Sequence, residues 1–134
     1  RPWCRYCRME DSYGIPVPQR TGTDDTGDTA GKLDAPDEPG ISCASRELEE
    51  ETGYRCEHLE HLLTLRTTVA FCDEKIEIYL ARDLKKTGQH LDEDEYVDVK
   101  EYTLAELKEK IFEGKIQDSK TIAAILAYEV KCGI

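Results

Sequence analysis

The chain has 134 residues and carries 29 acidic against 18 basic side chains, a formal charge of −11. That length is about one domain with a modest core, and the charge argues against nucleic acid or an anionic membrane as partner. No apolar stretch is long enough to cross a bilayer and no signal peptide is visible, so a cytoplasmic protein is expected.

In chain order, residues 1–29 show neither a helical nor a strand period, and 21–29 contain only Thr, Gly and Asp. That composition reads as an irregular tail or flexible loop. The start at Arg1 rather than Met is read as an incomplete N-terminus. Cysteines at 4, 7, 43, 56, 72 and 132 are scattered in a chain patterned well enough for a core, so reduced thiols are expected. Cys4 and Cys7 form a C-x2-C pair, but no second pair follows at zinc-finger spacing.

A helix is expected from Ser42, as N-cap, to Gly53, as C′ residue, with Ala44 and Leu48 turned to the core. Residues 59–69 read as a strand region, 76–81 as the clearest strand and 96–99 as another. Thr103-Leu104-Ala105-Glu106 is a capping box opening a helix with Leu104, Leu107 and Ile111 on one side. A last helix spans 119–130, with Ile122, Ile125, Leu126 and Val130 inward. Strands and helices mix without repeats, which fits an α/β sandwich.

The densest signal is Arg46-Glu47-Leu48-Glu49-Glu50-Glu51-Thr52-Gly53. On a helix, Glu47 and Glu51 share a face with Glu50 beside them. Stacked like charges destabilise a bare helix, whereas Mg²⁺ wants clustered carboxylate oxygens. A solvated Glu-rich face is the plainer explanation of such a run taken alone.

Its surroundings favour the metal. The chain resembles the Nudix box, G-x5-E-x7-R-E-U-x-E-E-x-G-U with U a bulky apolar residue. Arg46, Glu47, Leu48, Glu50, Glu51, Gly53 and Tyr54 match its second half, and Glu38 lies eight residues before Arg46. Gly31 fills the first glycine with six rather than five residues before Glu38, so either the loop carries one extra residue or Asp37 takes the early acidic role. Phe71-Cys72-Asp73-Glu74-Lys75-Ile76, Asp92-Glu93-Asp94-Glu95-Tyr96-Val97 and Asp118-Ser119-Lys120-Thr121 are similar to the ADP-ribose pyrophosphatase branch.

That branch commonly runs Q-Y-R, a gap, then L-E-I-P-A-G-K-L. Back-translating 14–29 into degenerate codons and shifting by one base permits V-S-Q-Y-R-N-A-L-E-R-M-T-L-E-I-P, and the chain continues Ala30-Gly31-Lys32-Leu33-Asp34. Residues 1–29 are therefore read as a non-native, frame-shifted segment ahead of a Nudix domain at 30–134, truncated on its N-terminal side. Codons unable to spell Q-Y-R and E-I-P in the next frame would end that idea.

The resemblance implies a Nudix-type α/β/α sandwich with a mixed sheet. It implies Mg²⁺-dependent hydrolysis (Mn²⁺ as a substitute) of a nucleoside diphosphate sugar, ADP-ribose first, giving AMP and ribose 5-phosphate. Metal ligands would be Glu47, Glu51, Glu50 and the carbonyl of Ala30. Arg46 would clamp the carboxylates, and Glu93, with Glu95 as second choice, would be the general base. Glu74 is a further candidate for metal or loop contacts. Trp3, Tyr6 and Tyr13 could stack a base, and family members pair as homodimers. Another nucleotide sugar, a dinucleoside polyphosphate, or a catalytically silent binding module are the alternatives. His58, His61 and His90 have no partner at catalytic spacing.

Overall fold

The computed structural model describes residues 3–8, 15–20, 29–32, 37–90 and 97–133, the first three stretches and residues 97 and 98 by backbone alone. Among these the order is β1 (Trp3–Arg8), β2 (Ile15–Arg20), β3 (Thr29–Lys32), α1 (Gly40–Thr52), β4 (Tyr54–Arg66), β5 (Lys75–Lys86), β6 (Val97–Tyr102), α2 (Leu104–Phe112) and α3 (Ser119–Cys132). One sheet runs β3-β1-β5-β4, and β2 pairs with β6 separately. β1 is parallel to β5 but antiparallel to β3, and β4 is antiparallel to β5.

β5 organises the core because both of its faces are covered. Ile76, Ile78 and Leu80 alternate with Tyr79 and Ala81, and all five are buried. Leu80 joins Leu107, Ile116, Ile125 and Tyr128, while Ile76 and Ile78 pack on Ala124. Tyr79 and Ala81 face the other way, onto Cys43, Ala44 and Leu48 of α1. A strand buried on both sides loses polar alternation and reads as an apolar run, as Ile78-Tyr79-Leu80-Ala81 does.

Several expectations are corrected. Segment 1–29, read as irregular, carries β1, β2 and the first residue of β3. Their pairing is set by backbone partners distant in sequence, which side-chain period cannot reveal. In β2, Pro16 and Pro18 lie two apart and so share one side of the strand, the arrangement an outer edge tolerates. The helix α1 begins at Gly40 with Pro39 in the cap position, not at Ser42, and no side chain caps it. A Cβ at Gly40 would run into the Glu77 carboxylate and lie 2.8 Å from the Tyr79 hydroxyl. Glycine thus admits an acidic group from β5 to the helix end where the dipole favours negative charge.

Helix α3 is also rotated from its expected setting. Thr121, Ala124, Ile125 and Tyr128 are buried, whereas Leu126 and Val130 are exposed, Val130 at 82%. Ala124 clusters with Ile76 and Ile78 of β5, and Ile125 and Tyr128 with Leu80. The capping box of α2 stands as expected: Glu106 N–H donates to Thr103 Oγ1 at 3.2 Å, and Thr103 N–H to Glu106 Oε2 at 2.6 Å. Cys43 is disulfide-bonded, correcting the expectation of reduced thiols at that position, while Cys56, Cys72 and Cys132 are free. No described helix is long and apolar enough to cross a membrane.

Candidate active site

Helix α1 buries Cys43, Ala44 and Leu48 against β5, which leaves Glu47, Glu49 and Glu50 along the flanks. Arg46 is the hub. Its Nη1 donates to Glu47 Oε1 at 2.8 Å and to Glu50 Oε2 at 3.1 Å, and its Nε lies 3.6 Å from Glu38 Oε1. One guanidinium thus gathers acids from the loop and two successive turns, as its planar fork allows. Glu51 is 9% exposed, at the edge of the buried layer.

Convergence of Glu47 and Glu50 on one nitrogen means that a cation already occupies the point between them. Three glutamates on one helix are hard oxygen donors, the chemistry that a small divalent cation takes. In kind, the donor set fits such an ion. Among the described residues no three His, Cys, Asp or Glu side chains gather tightly enough to hold one, and Arg46 engages oxygens of Glu47 and Glu50. Replacing Arg46 by Ala is expected to cost about 1–2 kcal/mol without metal and less with Mg²⁺ added. Equal melting shifts with and without Mg²⁺ would reduce Arg46 to a surface ion pair.

The last turn of α1 is held by residues that follow β5. Gly53 closes the helix at φ 72°, its N–H donating to the Glu49 carbonyl. The carbonyl of Glu50 accepts from His90 N–H at 2.8 Å, and that of Glu51 from the Gln89 side-chain amide at 2.6 Å. The Gly53 carbonyl accepts from Thr87 N–H at 2.8 Å and Gly88 N–H at 3.2 Å. A Cβ on Gly53 would lie 2.8 Å from Gln89 N, so glycine serves both the left-handed backbone and this close approach. Gly53→Ala is therefore expected to destabilise by about 2 kcal/mol, read as a lower urea midpoint at unchanged slope.

Sequence reasoning missed Gln89, Glu77 and Arg55. Glu77 accepts from the Tyr79 hydroxyl at 2.6 Å. Burial, with the Glu77 charge adding to it, pushes the Tyr79 phenol well above its ordinary range, so it stays a donor. A cavity of about 820 Å³ runs beside α1, lined in part by Ser42, Ser45, Arg46, Glu50, Arg55 and His90. Its size suits a nucleotide-sized ligand. Burial also raises the thiol of Cys56 in its wall, keeping that group protonated.

Other expected site residues are placed as follows. Ala30 lies in β3, paired with Arg5 of β1. Asp37 is exposed in the turn before α1. Glu74 stands before β5, its carbonyl accepting from Thr67 N–H at 3.4 Å. His58, His61 and His90 are exposed. Glu93, Glu95 and Tyr13 fall outside the described residues, as do the side chains of Cys4, Cys7, Trp3 and Tyr6.

A helix with this acid pattern, ended by glycine and packed on a mixed sheet, is matched by the NUDIX domain family over residues 9–125. The chain belongs to the Nudix family. It is 48% identical over 98 residues to a methanol dehydrogenase activator of Bacillus methanolicus, covering 72% of this chain and 52% of that protein. It is 38% identical over 104 residues to an ADP-ribose pyrophosphatase of Bacillus subtilis, covering 76% and 56%. An ADP-ribose pyrophosphatase of Mycobacterium tuberculosis shares 36% over 100 residues, covering 73% and 48%. The chain spans about half the length of these relatives. Among solved structures, an ADP compounds hydrolase superposes with a TM-score of 0.81 at 21% identity, over 96% of this chain and 70% of that one. Within this family, the similarity of the chain to two ADP-ribose pyrophosphatases covers about half of each of them.

Proposed function

We propose that this Nudix domain hydrolyses the diphosphate of ADP-ribose to AMP and ribose 5-phosphate, with Mg²⁺, or Mn²⁺ in its place. The observation that carries the reading is the gathering of Glu38, Glu47 and Glu50 around Arg46 on the helix that also bears Glu51. The named activity of two relatives supports the substrate.

The chemistry follows from charge. Diphosphate oxygens repel an incoming hydroxide, so the barrier is largely electrostatic. Glu47, Glu51 and Glu50, with the Ala30 carbonyl, would hold the metal, which when bound supplies charge neutralisation and Lewis acidity. Arg46 orients the carboxylates and offsets their mutual repulsion. Glu93, or Glu95 after it, accepts the proton of the attacking water. Arg55 brings a positive group to the wall of the cavity, where an anionic ligand can use it.

A second substrate reading has support too: a GDP-mannose pyrophosphatase of Cronobacter sakazakii is 36% identical over 96 residues. Nucleotide sugars therefore stand beside ADP-ribose. Homodimer formation and the frame-shifted origin of 1–29 remain proposals, the latter supported by the codon match and tested by the encoding DNA. A panel of ADP-ribose, NADH and nucleotide sugars with Mg²⁺, reading phosphate released after phosphatase treatment, tests the whole reading. ADP-ribose should turn over fastest. No turnover by folded protein favours a silent binding module.

A further inference from the structure

We propose that Gln89 is a positioning residue for the acidic helix, fixing Glu50 and Glu51 for metal through the carbonyl end of α1. This rests on the reading of those glutamates as ligands. A helix leaves its last carbonyls without internal partners, and an end so left frays. Here that end carries two of the acids, so fraying would disperse the donor set.

The partners come from one short stretch 34 or more residues away in sequence, as the pairs with Gly53, Glu51 and Glu50 show. Thr87, Gly88 and His90 contribute backbone N–H groups, which any residue supplies, and the Thr87 hydroxyl also donates to the Gly53 carbonyl at 3.2 Å. Gln89 alone reaches its carbonyl, that of Glu51, with a side-chain amide, at 2.6 Å. Its backbone also sits where a Cβ on Gly53 would collide, so the two chain segments are fitted together and not merely near. Gln89 is exposed and joins no buried cluster. Its contact with α1 therefore acts on geometry more than on the core.

The bond contributes about 1 kcal/mol net, small for stability. Displacing ligands by a fraction of an ångström is costly for a metal shell and for reaction geometry. The test replaces Gln89 by Met, of similar length and neutral but without a donor, and by Asn, which keeps the amide but falls one carbon short. Mn²⁺ binding is followed by electron paramagnetic resonance without substrate, beside kcat, KM and melting temperature.

Both variants should bind Mn²⁺ about 5-fold more weakly and lose about 10-fold in kcat. KM should stay within twofold and melting within a few degrees of the parent. Unchanged Mn²⁺ affinity and kcat overturn the proposal, whatever happens to melting. Parent protein that binds Mn²⁺ but hydrolyses nothing sinks the diphosphatase reading, while the Mn²⁺ arm still decides the role of Gln89. Parent protein that binds no Mn²⁺ overturns both.

Discussion

Glu51→Gln should lower turnover by on the order of 10³-fold, the scale at which one stabiliser of transition-state charge is lost, and weaken Mg²⁺ binding with it. The change removes one charge and keeps the shape, so packing of the nearly buried side chain is preserved. Glu47, Glu50 and Glu51 repel one another on the helix, and neutralising one relieves that repulsion. Melting temperature without metal should therefore stay level or rise. Activity lost while stability is kept marks a site that stores strain for function. Calorimetric Mg²⁺ titration beside thermal melts decides it, and a large fall in melting temperature with Mg²⁺ affinity intact would make Glu51 a structural residue instead.

Glu93→Gln should give the opposite split. A general base contributes about 10²–10⁴-fold, so turnover should fall by that amount while Mg²⁺ affinity changes little. His90, three residues before Glu93 in the sequence, donates its N–H to the Glu50 carbonyl. Parallel loss of turnover and Mg²⁺ binding would reassign Glu93 as a ligand, and an unaffected rate would pass the role to Glu95. Together the two substitutions separate holding the ion from moving the proton.

The site was legible where local chemistry dictated it. Arg46 followed at once by Glu47, and by Glu50 four positions on, can form its ion pairs within one helix, and the Nudix resemblance gave that spacing its meaning as a clamp on the carboxylates. Gly53 was legible for a similar reason, since a left-handed helix end calls for glycine. The capping box of α2 needs no partner beyond its own four residues.

What the sequence concealed depends on partners far along the chain. Gln89 acquires its role from a carbonyl 38 residues earlier, and nothing in its neighbours announces that. The start of α1 was misplaced because Ser42 looked like a cap, while the helix end is met by Glu77 from β5. Along α3, Leu126 and Val130 were chosen for their hydrophobicity, but Ala124 and Tyr128 are the residues buried. The pairing of β1 with β5 is parallel and long-range. Composition between them carries no trace of it.

The two-sided burial of β5 has a practical outcome. Ile76 and Ile78 lean on Ala124, whereas Tyr79 and Ala81 support the helix that bears Glu47 to Glu51. An engineer could retune the first set for heat tolerance and leave the reaction chemistry alone. Selection could likewise adjust robustness and catalysis through different side chains of a single strand.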